Sequence, residues 1–523
     1  MPKTKTVADL FVGLATRSLP TNWDQLSQMT VKSIQHDSRR IEAGDIFVAV
    51  AGFEADGHHY LPQAQERGAL LAVVEEPRPD LDLPQVLVAN SRLAQAELGA
   101  SFYDHPSQEL SVCGITGSNG KTSTSLMYRQ IIEQAKGPCG LIGTVAYESG
   151  TSTVASNLTT PDSLDLQRYL REMSDNGYRY VVMEVSSIGL DQDRPHGTAY
   201  DVAAFINIGR EHLDYHGDLE HYLAAKKKLL KLLKPEAVVV LNLDDKLLAP
   251  MAEELKHPVL TFGTNSNATL RAENVDLSTG FARFDLVFDP QQLSAEGRIK
   301  LAVKTSKSWQ VQLKVPGFHS VYNALAAAAC ALVTGANLEE CVLGLEAYGG
   351  VERRFQLVYD GDFRIFDDHF ANSKNIAMTL TTLSKMDYRQ LVICYAVRGK
   401  RGVTVNRENI EALNNFIPQL KIKEFIATSS QDVVGHYDEV QPEELLVYRE
   451  EMAQNTLEDR FTDTLDEAME LSLEAMEPGD VLLLAGCQGM DAGARIALNK
   501  LADRYPQERE KILLPLKDRV CGW

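Results

Sequence analysis

The stretch Gly114-Ile115-Thr116-Gly117-Ser118-Asn119-Gly120-Lys121-Thr122 limits most strongly what this chain can fold into. It follows a short apolar run at 110–113 and opens a helix-like segment at 123–134. A strand that feeds a glycine-rich turn and then a helix is a phosphate cradle. The glycines let backbone N–H groups approach an anion, and the helix N-terminus adds a favourable dipole. Lys121 would reach the terminal phosphates, and the Thr122 hydroxyl would meet Mg²⁺. The general loop pattern G-x-x-x-x-G-K-[ST] requires glycine at 115, which is Ile here; glycines fall instead at 114, 117 and 120. An ordinary glycine-rich turn is the competing reading of the stretch taken alone.

A chain of 523 residues is too long for one core, so two to four domains are expected. The net charge of −20 argues against non-specific nucleic-acid binding and against docking on anionic membrane. The seven cysteines are scattered and form no C-x-x-C pair, which reads as reduced thiols of a cytoplasmic protein. Residues 1–19 lack a long apolar core and no apolar run approaches ~20 residues, so neither a signal peptide nor a membrane span is expected.

Three units follow along the chain: 1–108, 109–349 and 350–523, with Gly349-Gly350 as the clearest break. In the first, residues 41–50 read as a turn and strand, and 69–74 and 85–88 as further strands. Ser38 and Arg39 lie in a turn beside a strand end. They could hold a phosphate by charge-assisted bonds, although a solvated turn is the commoner outcome for such a pattern. In the second unit, apolar β-branched runs at 141–147, 180–185, 201–208 and 237–242 alternate with helical segments, including 164–176. That alternation predicts a mostly parallel, doubly wound sheet. Residues 268–315 read as a β insert, followed by an Ala-rich helix to about 334. In the third unit, strands are expected at 364–367, 390–395, 424–428 and 481–484, which is again α/β.

Ligands of such sheets sit beyond the carboxyl ends of the strands. Glu184 stands at the end of an apolar strand, where a carboxylate is costly unless it is paired or binds metal. His212 follows the next strand in a polar loop. Thr122, Glu184 and His212 together offer an oxygen and nitrogen set for Mg²⁺, with the histidine its less usual member. Lys226 heads the basic run Lys226-Lys227-Lys228, which by local pattern is a solvated helix face.

Taken in order, these motifs resemble the Mur ligases, the ATP-dependent amide ligases of peptidoglycan assembly, and most nearly their tripeptide-synthetase branch. The resemblance is carried by Asp37-Ser38-Arg39, Gly44-Asp45-Ile46-Phe47-Val48-Ala49, Ala55-Asp56-Gly57-His58, the G-x-x-G-x-N-G-K-T loop, Thr159-Thr160-Pro161-Asp162, Glu184-Val185-Ser186-Ser187, Gln192-x-Arg194 and His212-Leu213-Asp214-Tyr215-His216-Gly217. It implies a three-domain α/β architecture: an N-terminal UDP-substrate domain, a central P-loop doubly wound sheet and a C-terminal Rossmann-like, amino-acid-binding domain. Ser38 would bind the uridine-nucleotide end, and Thr159, Thr160, Ser186, Gln192 and Arg194 the muramoyl-peptide. Gly117, Asn119, Gly120, Lys121, Thr122, Ser123, Asn323 and Arg354 would bind ATP. Thr122, Glu184, His212 and a carbamylated Lys226 would hold Mg²⁺, and Lys121, Glu184, His212 and Lys226 would carry the chemistry. The expected partners are small molecules, a UDP-muramoyl-peptide and an amino acid, acted on by a cytoplasmic monomer.

The third unit departs from the family pattern. D-D-Y-A-H-N-P has become Asp367-Asp368-His369-Phe370-Ala371-Asn372-Ser373. The D-N-P-R motif, which holds the amino acid in diaminopimelate-adding members, gives way to residues near Thr428-Ser429-Ser430-Gln431-Asp432, and G-K-G-H-E to Gly486-Cys487-Gln488-Gly489-Met490-Asp491. Ser320 stands where the family has an asparagine. Two alternatives therefore stay open: a family paralogue joining a different amine or acid, and a catalytically weak UDP-substrate-binding protein.

Overall fold

The structure is a computed structural model that describes residues 4–52, 55–150, 152–209, 211–293, 299, 301, 305–455, 457–517 and 519. The chain forms two compact units. The first comprises Met1–Glu273, Leu286–Trp309 and Tyr322–Leu345; the second comprises Asn274–Asp285, Gln310–Val321 and Glu346–Trp523.

The first unit begins with a five-stranded sheet of β1 (Thr16–Ser18), β2 (Ile34–Gln35), β3 (Ile46–Val48), β4 (Leu71–Val74) and β5 (Gln85–Val88), in the order β1-β5-β4-β3-β2. β2 to β5 are parallel and β1 runs antiparallel to β5. Helix α1 (Ser91–Phe102) follows, capped by the Asn90 side chain, which accepts from Arg92 N–H at 2.9 Å and Leu93 N–H at 3.0 Å. The Gly57 turn is held from within. His58 is buried, and its Nε2 accepts from the Glu75 and Glu76 N–H groups at 3.0 and 3.3 Å.

The second sheet contains β6 (Ser111–Thr116), β7 (Cys139–Ile142), β8 (Ala146–Glu148), β9 (Thr153–Ala155), β10 (Tyr180–Glu184), β11 (Tyr200–Phe205), β12 (Leu233–Asn242) and β13 (Val259–Gly263). Their order is β9-β8-β7-β10-β6-β11-β12-β13. β7 and β10 to β13 run parallel with β6, and β8 and β9 form an antiparallel margin. Val181, Val182 and Met183 of β10 have no exposed surface, the pattern of a parallel strand covered on both faces. Register fixes the site: Ile115 of β6 lies opposite both Glu184 of β10 and Ala204 of β11. The loops after all three strands therefore open at one edge. Helices α2 (Lys121–Ala135), α3 (Ser163–Asp175), α4 (Leu219–Lys227) and α5 (Phe318–Val333) serve this sheet. The expected β insert is present as β14 (Leu270–Asp276), β15 (Phe281–Phe288) and β16 (Lys307–Pro316).

The second unit carries β17 (Gln356–Asp360), β18 (Arg364–Asp368), β19 (Leu391–Ala396), β20 (Ile422–Thr428), β21 (Asp459–Thr462) and β22 (Val481–Ala485), in the order β17-β18-β22-β19-β20-β21. All are parallel except β17. The four strands expected from sequence are the buried inner ones. β17 and β21 escaped because margin strands carry polar residues, as Asp459-Arg460 does. The six described cysteines are free and buried, and Cys521 lies outside the described residues. Among the described residues no helix is long and apolar enough to cross a membrane.

Candidate active site

The unusual glycine spacing of the loop has a steric cause. A Cβ at Gly117 would sit 2.3 Å from Ile206 Cγ1, and one at Gly120 would sit 2.2 Å from Asn323 Oδ1. Gly120 is also left-handed, with φ +84°. Ile115 needs no such freedom, because it is still a buried strand residue of β6. The loop is clamped by the turn after β11. Asn119 N–H donates to Asn207 Oδ1 at 2.9 Å, and Asn207 Nδ2 donates back to Asn119 O at 2.9 Å. Ser118 Oγ accepts from Gly209 N–H at 2.7 Å and meets Tyr222 OH at 2.9 Å. Lys121 Nζ is folded onto its own loop, donating to Gly117 O and Ser118 O at 2.9 Å each. Burial holds its ammonium below the usual lysine range, opposed by the charges of Glu184 and Glu211.

Glu184 is the node of the site. It is buried, and its Oε2 accepts from Thr122 Oγ1 at 2.9 Å and from Thr144 Oγ1 at 3.1 Å, while Oε1 accepts from Thr144 N–H at 2.9 Å. Gly143 lets the β7–β8 turn come this close, since a Cβ there would lie 2.4 Å from Glu184 Oε1. The network continues outward. Thr144 Oγ1 and Thr159 Oγ1 are 3.1 Å apart. Thr160 Oγ1 donates to Glu184 O at 3.0 Å and accepts from Ser186 N–H at 2.9 Å. Arg194 Nη1 donates to Thr160 O at 3.1 Å and Nη2 to Gln192 Oε1 at 2.5 Å. Thr122, Glu184, Thr159, Thr160, Ser186, Gln192 and Arg194 are thus one connected set.

Lys226 is not on a solvated face. It lies one turn after Tyr222 on α4, is 1% exposed, and donates from Nζ to Gly117 O at 2.9 Å. The ammonium stands 4.6 Å over the Tyr222 ring. Burial first, and then the neighbouring Lys121, hold it well below the usual lysine range, with Glu211 opposing. His212 is exposed and left-handed at φ +54°, and its imidazole makes no hydrogen bond among the described residues. No group of three His, Cys, Asp or Glu side chains is gathered for a metal among the described residues. The Thr122 hydroxyl and Glu184 carboxylate do offer the hard oxygen donors that suit Mg²⁺.

Of the other expected site residues, Asn323 Oδ1 accepts from Thr124 Oγ1 at 3.5 Å behind the loop, and Ser123 lies in the first turn of α2. Ser38 Oγ is buried and donates to Gln63 Oε1 at 2.6 Å. Arg39 pairs with Asp37 and, by that hydrogen bond, holds its carboxyl down at about 2. Arg354 is exposed in a turn of the second unit. Sequence reasoning missed Thr144, Asn207 and Gln95, whose Nε2 donates to Asp162 Oδ1 at 2.6 Å. Only the glycine before Thr144 and the strand end before Asn207 hinted at them.

The strand-end loops of the second unit are largely engaged with one another. Glu444 accepts from the N–H groups of Lys400, Arg401 and Gly402, which fixes the basic turn. Asp432 accepts from Leu465 N–H at 2.7 Å and Asp466 N–H at 3.1 Å, so its carboxylate caps a helix. Cys487 Sγ donates to His369 O at 3.2 Å. Burial raises Asp368 to about 6 and lowers His369 to about 4.

A parallel α/β sheet with a clamped phosphate loop and a carboxylate bonded to the loop threonine defines a nucleotide-using enzyme of the P-loop class. Comparison with known proteins narrows this. Residues 30–103 match the model described as Mur ligase family, catalytic domain; 115–331 the Mur ligase middle domain; and 353–488 the Mur ligase, glutamate ligase domain. The UDP-N-acetylmuramoyl-L-alanyl-D-glutamate–2,6-diaminopimelate ligase of Alkaliphilus metalliredigens is 31% identical over 90% of this chain and 91% of its own length. The enzyme of that name from Bacillus licheniformis is 36% identical over 72% of this chain and 75% of its own. A solved structure of a ligase of the same name shares the fold, with TM-score 0.69 and 23% identity, covering 94% of each chain. The chain belongs to the Mur ligase family, and it is a ligase with that family's α/β architecture.

Proposed function

We propose that this ligase joins an amino acid to UDP-N-acetylmuramoyl-L-alanyl-D-glutamate at the expense of ATP. The observation that carries the reading is the Thr122–Glu184–Thr144 node, which ties the phosphate loop to Thr159, Thr160, Ser186 and Arg194 without a break. A carboxylate is a poor acyl donor because oxide would have to leave. Its oxygen attacks the γ-phosphorus of ATP, the bond to the β-phosphate oxygen breaks, and ADP leaves an acyl phosphate. The amine then attacks the acyl carbon, the C–O bond to phosphate breaks, and the amine proton is lost. Lys121 would exchange the Gly117 and Ser118 carbonyls for phosphate oxygens, and Arg194 would orient the substrate carboxylate.

Thr122 and Glu184, with His212 and a carbamylated Lys226, would hold Mg²⁺, which when bound neutralises charge on the transferring phosphoryl group. The depressed basicity of Lys226 supports the carbamate, because only the neutral amine adds to CO₂, with release of one proton. The three-domain division at 108 and 349, a cytoplasmic setting and small-molecule partners without nucleic acid or membrane belong to the same proposal; the free buried thiols support the setting.

A second reading, in which a different amine is joined, is favoured by one feature. Asp432 is committed to a helix cap, and the loop 429–432 carries no arginine. Purified protein with ATP, Mg²⁺, UDP-muramoyl-dipeptide and an amino-acid panel should release phosphate with at least one amine. No phosphate with any of them would refute the peptidoglycan reading.

A further inference from the structure

Only the first member of the run Lys226-Lys227-Lys228 belongs to the site described above. Helix α4 is two-sided. Tyr222, Lys226 and, in the turn that follows, Leu229 are buried. Ala224, Lys227, Lys228 and Lys231 recur at the spacing that gathers side chains on one helical face. They line an open cavity of about 560 Å³ together with Tyr215 and His216, a volume typical of a small-molecule site. The cavity lies wholly within the first unit.

Its charge is lopsided. Three ammonium groups share the lining with one carboxylate, Asp191, and that carboxylate is engaged. Lys228 Nζ donates to Asp191 Oδ1 at 2.9 Å and to Asp191 O at 3.2 Å, and Tyr215 OH donates to Asp191 Oδ2 at 3.2 Å. At the rim, Asp218 is taken up by His221, whose N–H donates to Asp218 Oδ1 at 2.9 Å. Lys227 and Lys231 are left over: neither forms an ion pair or a side-chain hydrogen bond among the described residues, and Lys227 is half-buried. Desolvating an ammonium without a counter-charge is unfavourable. It is all the more unexpected in a chain with 72 acidic and 52 basic residues. His216 adds a second unsatisfied group to the wall. Its Nε2 is buried and makes no hydrogen bond among the described residues, and its ring stands edge-on to Tyr215 at 4.7 Å and Tyr222 at 5.4 Å.

We propose that this cavity is a second anion site, distinct from the phosphate loop, that takes a small polyphosphate on Lys227 and Lys231. Two lysines one helical turn apart, with Cβ atoms about 5–6 Å from each other, reach further than one carboxylate and match neighbouring groups of a di- or triphosphate. Lysine binds phosphate as a point charge and needs no planar, two-pronged partner. Asp191 and Tyr215 also line a smaller cavity of about 280 Å³ that includes Gln192, so the anion would lie next to the expected substrate residues.

The probe is inorganic tripolyphosphate, titrated by calorimetry into the full chain in metal-free buffer. Wild type should bind two equivalents, and Lys227→Gln with Lys231→Gln should reduce that to one. In Lys121→Ala, which disables the phosphate loop, one equivalent should remain. Adding Lys227→Gln and Lys231→Gln to that variant should weaken it roughly tenfold for each lysine. Replacing Lys246 and Lys256, two exposed lysines elsewhere on the first unit, by Gln removes the same charge and should change the affinity by less than about twofold. ATP titrated into Lys121→Ala separates the two sources of the ligand: binding as tight as the probe assigns the tail of a nucleotide, and weaker binding assigns a free polyphosphate. A single equivalent in wild type, equal weakening by the two lysine pairs, or displacement of the second equivalent by UDP-muramoyl-dipeptide would overturn the proposal.

Discussion

Replacing Lys226 by Met should make the chain more stable and inactive at once. The Lys226 ammonium is 1% exposed and has no carboxylate in hydrogen-bond or ion-pair contact among the described residues. Its one short hydrogen bond, to Gly117 O at 2.9 Å, uses a carbonyl that Lys121 also uses. A hydrogen bond from a charged group contributes about 1.5–3 kcal/mol, and a desolvated cation over an aromatic ring about 2 kcal/mol. Against these stand a desolvation penalty of several kcal/mol and repulsion from Lys121. Met keeps the stem and discards the charge, so a net gain of about 1–2 kcal/mol is expected, or roughly 2–8 °C in melting temperature. The comparison belongs in metal-free, bicarbonate-free buffer.

The pH dependence has a definite sign. The folded chain gives up the Lys226 proton before the unfolded chain does, so wild-type stability rises with pH from the folded pKa toward the ordinary lysine value. The advantage of Lys226→Met should therefore shrink at alkaline pH. Phosphate release should fall at least about 100-fold in the same variant. A variant destabilised by more than about 1 kcal/mol, or one that keeps turning over, would refute the reasoning, because the ammonium would then be a net structural anchor.

Other expectations follow from the same geometry. Glu184→Gln should fold normally and lower kcat by about 10²- to 10³-fold in a phosphate-release assay. Gly143→Ala, whose Cβ would meet Glu184 Oε1 at 2.4 Å, should lower stability by about 1–3 kcal/mol in chemical denaturation and cut activity with it. Asn207→Ala, which frees Asn119 of both bonds, should raise KM for ATP roughly tenfold with kcat less affected. In the second unit, the raised pKa of Asp368 gives stability that is full below the ordinary aspartate value and lost as pH rises through about 6. Asp368→Asn should thus raise the melting temperature at pH 8 relative to wild type and leave it unchanged well below pH 4.

Much of the first unit was legible because its signals are local. Glycines at 117 and 120 mark close approaches, and a glutamate closing Val181-Val182-Met183 is conspicuous on an apolar strand. Lys226 was not legible from local pattern, and only the family resemblance singled it out: three consecutive lysines look alike, and the fold turns the first of them inward, one helical turn after Tyr222. Thr144 and Asn207 were hidden for another reason. Their work is done through backbone groups and short side chains brought from separate loops, and no spacing rule encodes that. Of the pair Arg353-Arg354, sequence cannot say which is buried. The left-handed backbone at 353 decides, and it sends one guanidinium to Asp367 and the other outward. The strand-end loops of the second unit were the least readable, because Asp432 and Glu444, polar residues of a kind that suggests ligand contacts, serve as caps for backbone N–H groups.

The central claim is that the substrate carboxylate is activated as an acyl phosphate. The most direct test labels both oxygens of the reacting carboxylate of the UDP-muramoyl-dipeptide with heavy oxygen, and reads the released phosphate by mass spectrometry after turnover with ATP and the amine identified by the panel. One heavy oxygen in each phosphate is expected, because the acyl C–O bond breaks after the carboxylate oxygen has joined phosphorus. Phosphate free of label, with amide still formed, would contradict the claim.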